Sequence, residues 1–136
     1  MTQLESIVVG SMCWEEDSEK FLKSSEVSDV LNEKIDLSHF GYGLDSIFFV
    51  PMGYKTDDTF HPEKISFRPS RKELDIRLKL DYPKMKKATD EEFLHMVAQL
   101  FLSAIDRFPQ RRIPEFDIPK FKADVTRVFR EQGWVV

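Results

Sequence analysis

Cys13 and the histidines His39, His61 and His95 are the side chains of this sequence best suited to nucleophilic or metal chemistry. Cys13, beside Trp14, is the candidate thiol, with His39 or His61 as base. Thiol catalysis needs a thiolate held by a base that a third group orients. No spacing here imposes that arrangement, and a cysteine that closes a strand is ordinary packing. No Gly-x-Ser-x-Gly elbow offers a hydrolase serine instead. A small enzyme built on Cys13 and His61 therefore stands as the alternative to the reading below.

Metal and nucleotide chemistry find no better support. The histidines are far apart and no His-Glu-x-x-His occurs. His61-Pro62-Glu63 matches the His-x-Glu half of a zinc deaminase signature, but the Pro-Cys-x-x-Cys half that supplies two thiolates is missing. With one cysteine, neither a thiolate cage nor an internal disulfide can be built. Gly41-x-Gly43 lacks the third glycine and the strand-to-helix context of a dinucleotide loop. The expectation is no catalytic residue, no metal and no cofactor. Acids adjacent in sequence, such as Glu15/Glu16 and Asp57/Asp58, point apart in extended chain and suit a solvated surface better than an acid–base pair.

These acids belong to a wider asymmetry. The net charge of −4 divides into −8 over residues 1–60, with twelve acids against four bases, and +4 over residues 61–136, with twelve acids against sixteen bases. An acidic surface of this kind keeps a protein soluble and steers a basic partner toward it. Nucleic acid is not that partner. The basic group Arg68, Arg71, Lys72, Arg77 and Lys79 is interrupted by Glu73, Asp75 and Asp81, and the pI is near 5.4.

The elements that must position these residues follow from periodicity. Leu4 to Met12 reads as a strand rich in β-branched residues. Asp17 to Lys34 reads as a helix weakened by Ser24, Ser25 and Ser28. Phe40-Gly41-Tyr42-Gly43 is a turn, Leu44 to Met52 a strand with both faces covered, and 53–62 a polar loop. Lys64 to Arg68 is a short strand. Glu73 to Tyr82 alternates strictly, with Leu74, Ile76, Leu78 and Leu80 on the core side. Thr89 and Glu92 form a capping box that opens a long helix, whose stripe runs from Phe93 to Phe108 before Pro109. The last helix spans Ile118 to Gln132, with Asp117 as N-cap and Gly133 at the C′ position. The order β-α-β-β-β-α-α predicts an α+β two-layer sandwich, with a mainly antiparallel four-stranded sheet and helices on one face.

Size and composition agree with one such domain over residues 1–136: apolar residues make up 41% and twelve are Phe. No apolar run is long enough to span a bilayer, and the first residues lack the basic start and apolar stretch of a signal peptide. A cytoplasmic location is expected.

Three segments together resemble a known family. They are Phe40-Gly41-Tyr42-Gly43 with Ile47-Phe48-Phe49-Val50-Pro51, the strand Asp75-Ile76-Arg77-Leu78-Lys79-Leu80-Asp81-Tyr82, and Ile113-Pro114-Glu115-Phe116-Asp117. The chain from about residue 5 to 130 is similar to small α+β immunity proteins of bacterial polymorphic-toxin systems. The resemblance implies an antidote that binds a cognate protein toxin and neutralises it by occlusion, without catalysis. If that toxin is a basic nuclease, Glu15, Glu16, Asp17, Glu19, Asp57 and Asp58 are the candidate contacts, with Trp14 and Tyr54 as aromatic anchors. An adaptor that assembles through its sheet edge, or a homodimer, are the further interaction readings.

Overall fold

In the computed structural model, which describes residues 2–136, the helices pack against one mixed sheet. Met1, the first residue of the expected domain span, lies outside the described residues. The strands are β1 (Ser6–Val9), β2 (Met12–Cys13), β3 (Ser46–Gly53), β4 (Lys64–Arg68) and β5 (Glu73–Lys79). The helices are α1 (Ser18–Phe21), α2 (Ser25–Lys34), α3 (Tyr82–Lys87), α4 (Asp90–Ile105) and α5 (Ile118–Glu131).

The α+β class holds, but the expected antiparallel four-stranded sheet does not. Strands lie in the order β1-β3-β5-β4, with β2 also pairing to β3. Of these pairs only β4·β5 is antiparallel; β1, β2 and β5 all run parallel to β3. A meander would have placed β4 beside β3. Instead β5 takes the central place, because its alternating Leu74, Ile76 and Leu78 bury fully. β4 has only Ile65 and Phe67 to offer, flanked by Lys64 and Arg68, and such a short, charged strand belongs at an edge. The connection over residues 54–63 is too long for a tight hairpin and carries the chain past β5 to that edge.

Two expected elements are broken. The first strand divides at Gly10-Ser11 into β1 and β2, both paired to β3. The first helix becomes a succession of short turns before α2 begins. Its serines explain the break. The hydroxyls of Ser24, Ser25 and Ser28 donate to the carbonyls of Phe21, Leu22 and Ser25, three residues back, and so compete with regular helical bonding. Tyr82, read as the end of a strand, instead opens α3, because the Asp81 side chain accepts from the Lys84 N–H and caps a helix there.

The later helices form as their sequence dictates. Thr89 Oγ1 accepts from the Glu92 N–H at 3.2 Å while Glu92 Oε1 accepts from the Thr89 N–H at 2.9 Å, closing the capping box. At the end of α5 the Trp134 N–H donates to the Phe129 carbonyl and the Gly133 N–H to that of Arg130, with Gly133 at φ 76°. That is a Schellman stop, and the Trp134 ring closes it on Phe129.

The core lies between the sheet and α2, α4 and α5, and it is dense in phenylalanine. Phe101 packs edge-on against Phe49 of the sheet and Phe129 of α5, while Phe121 meets Phe40, Phe116 and Phe101. Gly41 joins this core to the 113–117 segment through a bridge to Phe116. Its φ of 90° and its approach to the Glu115 carbonyl, which a Cβ would meet at 2.1 Å, both demand glycine.

Candidate partner-binding surface

The parallel pairing of β2 with β3 sets Cys13 opposite Gly53, so residues 14–17 and 54–58 leave the sheet side by side. Trp14 fills the space between them. Its ring packs edge-on against Tyr54 (centroids 6.0 Å apart) and Tyr82 (5.3 Å), and the Lys55 ammonium lies 5.7 Å above it. Tyr54 is buried and donates its hydroxyl to the Cys13 carbonyl. With Val50 and Met52, Trp14 and Tyr54 build a second, smaller apolar cluster apart from the main core.

The expected contact residues divide by burial. Glu15, Glu16, Glu19 and Asp57 are exposed, Trp14 and Asp58 are half-buried, and Asp17 and Tyr54 are buried. Asp17 is occupied internally: Lys86 Nζ donates to it at 2.9 Å and the Tyr82 hydroxyl at 3.3 Å. The Asp17 hydrogen bond holds the Lys86 ammonium above its ordinary pKa, while burial and then the Asp17 charge push the Tyr82 phenol up. Lys20 ties the same corner together by donating to the carbonyls of Met85 and Ala88, each at 2.8 Å, at the end of α3.

The 54–63 loop is held from inside. Lys79 Nζ donates to the carbonyls of Asp58 at 2.6 Å, Lys55 at 3.2 Å and Thr56 at 3.4 Å. Asp58 accepts from the Phe60 N–H at 2.8 Å and pairs with His61 Nδ1 at 3.1 Å, and the His61 ring stacks on Tyr54 with centroids 3.8 Å apart. The His61 hydrogen bond, followed by that from Phe60, holds the Asp58 carboxyl below its ordinary value. Lys79, expected from alternation as part of a small outward-facing basic group, is instead the tie that holds this loop.

Alternation misplaces Asp75 in the same way. It lies on the outer face of β5 yet is 1% exposed, because Arg68, Arg77 and Lys64 close over it at 2.9, 3.4 and 3.7 Å. Lys64, Arg68 and Arg77 are thus engaged by one carboxylate.

The candidate catalytic groups meet around Tyr54 without forming a dyad. Cys13 contributes its carbonyl, and its thiol makes no hydrogen bond among the described residues. Burial, then the Asp17 charge, pushes that thiol up, away from the thiolate a nucleophile requires. His61 is engaged by Asp58, His39 pairs with Asp36 on the surface, and His95 lies half-buried on α4. Among the described residues no group of three or more His, Cys, Asp or Glu is placed to hold a metal ion, and no helix is long and apolar enough to cross a membrane.

The family model described as immunity protein 44 matches residues 5–131. The chain belongs to the immunity protein 44 family. The match spans nearly the stretch over which the sequence resemblance was drawn. The residues that carried that resemblance are scaffold in this immunity protein 44 member: Ile76, Leu78 and Leu80 are core, Asp75 is the buried carboxylate, and Phe116 with Asp117 joins Gly41 and caps α5. No curated protein and no solved structure matches the chain.

Proposed function

We propose that this chain neutralises a cognate bacterial toxin domain by binding it and covering its working surface, in the cytoplasm and without catalysis. Membership of the immunity protein 44 family over residues 5–131 carries this reading. The raised Cys13 thiol and the commitment of His61 to Asp58 and Tyr54 support a binding role over a chemical one. The binding face is the end of the sheet where Trp14 to Glu19 and the 54–58 segment emerge together, offering Glu15, Glu16, Glu19 and Asp57 to solvent. Such a face fits a basic toxin domain, as in a nuclease whose lysines and arginines grip phosphates.

Co-expression with a candidate cognate toxin domain, sought in the neighbouring gene, tests the reading. Cells survive and the two chains co-purify if the proposal holds. Unprotected cells, with the toxin recovered alone, would overturn it.

A further inference from the structure

We propose that Phe60 is the anchor by which this surface docks into the toxin, entering an apolar hole rimmed by lysine or arginine. The inference rests on the immunity reading above. Among the described residues Phe60 is the one phenylalanine left exposed, at 90%, while the other eleven are buried or half-buried. A large apolar side chain held in water invites burial by a partner, and one aromatic often dominates the energy of an interface.

The exposure is built into the loop. Asp58 accepts from the Phe60 N–H on one side, and His61 is stacked on the buried Tyr54 on the other. Lys79 fastens the loop to β5 twice: its ammonium donates to three loop carbonyls and its own N–H to Glu63 Oε2 at 2.8 Å. The stem that presents Phe60 is therefore ordered before binding, and association spends little entropy on fixing it. Charge indicates the partner. Asp57 and Glu63, both exposed, stand three residues to either side of Phe60 in the chain, and the β2·β3 register brings Glu15 and Glu16 to the end of the sheet from which this loop departs. The local cations are already engaged, Lys55 over Trp14 and Lys79 with the loop carbonyls. An apolar anchor set among acids complements an apolar hole set among bases.

The test measures binding of the purified toxin domain to wild type and to Phe60→Ser, with circular dichroism and Tm confirming that the variant is folded. Phe60→Ser is expected to weaken Kd by about 30-fold or more, the scale of a dominant anchor, mainly through faster dissociation. Phe60→Trp, which keeps an aromatic, should retain most of the affinity. Wild type that binds while Phe60→Ser stays within about threefold of it overturns the anchor and leaves the immunity reading standing. A wild type that fails to bind the toxin overturns both. A wild-type dimer that Phe60→Ser converts to monomer makes a second copy the occupant and also overturns the proposal.

Discussion

Asn32 of α2 closes a pair of hydrogen bonds with the main chain of Ile7 in β1: its Oδ1 accepts from the Ile7 N–H at 3.0 Å and its Nδ2 donates to the Ile7 carbonyl at 2.7 Å. A side-chain amide carries the same donor and acceptor as a peptide group, so Asn32 does for this border strand what a further strand would do. Asn32→Leu should cost about 1–3 kcal/mol by leaving both Ile7 groups unmet. It should also raise self-association, read by light scattering at increasing concentration. A variant as stable and as monomeric as wild type would contradict this role.

Asp75 makes a second stability prediction. Removing the buried carboxylate leaves the partly exposed Arg68, Arg77 and Lys64 facing one another, and losing its charge-assisted hydrogen bonds costs about 1.5–3 kcal/mol. Asp75→Ala should lower the urea midpoint accordingly, whereas Arg71→Ala on the exposed turn should leave it unchanged. A loss at Asp75 below about 1 kcal/mol would mean that the cations find water instead.

Charge reversal separates steering from structure. Glu15→Lys with Glu16→Lys should slow toxin association by about tenfold or more at low salt, with the difference shrinking as salt rises. Asp17→Ala should instead lower thermal stability, because it releases Lys86 and Tyr82. An unchanged on-rate in the doubly reversed variant would remove the acidic surface from the encounter.

The pH profile has two edges. Asp36, Asp58 and Glu92 are all depressed: Asp36 by the Ser38 hydroxyl and N–H, Asp58 by His61, and Glu92 by the Thr89 N–H. Each stabilises the fold above its ordinary value, 3.8 for the aspartates and 4.5 for Glu92, and loses that contribution as pH falls through its lowered folded value. Cys13, Tyr54, Tyr82 and Lys86 are raised from 9.0, 10.0, 10.0 and 10.5, so their contribution is complete below those values and fades as pH climbs through the folded ones. Tm should be flat between the two edges, and Glu92→Gln should soften the acid one.

Cys13 gives a chemical check. With its thiol pushed up by burial and by Asp17, it should alkylate with iodoacetamide at pH 8 more slowly than free cysteine. Faster alkylation would revive the enzymatic alternative.

Local chemistry was readable in the sequence where one segment decides its own structure. The Thr89–Glu92 box, the Asp117 cap, the Gly133 stop and the core side of β5 all depend on residues within a turn or two of each other. Sheet order was not, because it depends on competition between β4 and β5 for a place beside β3. Asp75 and Lys79 escaped for a related reason. Alternation says which way a side chain sets out, but not that an arginine from the next strand will arch over it, or that a distant loop will offer it three carbonyls. On the candidate surface, the acids around residue 15 were visible as charge, while the occupation of Asp17 by Lys86 required a helix that the sequence reading lacked.

The side-by-side departure of two chain segments from β2 and β3 bears on how such a protein can change its target. Both segments are rooted in main-chain pairing, and the second is moored by Lys79, Asp58 and the His61–Tyr54 stack, so their exposed residues lie apart from the phenylalanine interior. Under the proposed binding role, retargeting this scaffold would mean exchanging two short cassettes together, with Cys13, Gly53 and Lys79 kept as the fixed joints.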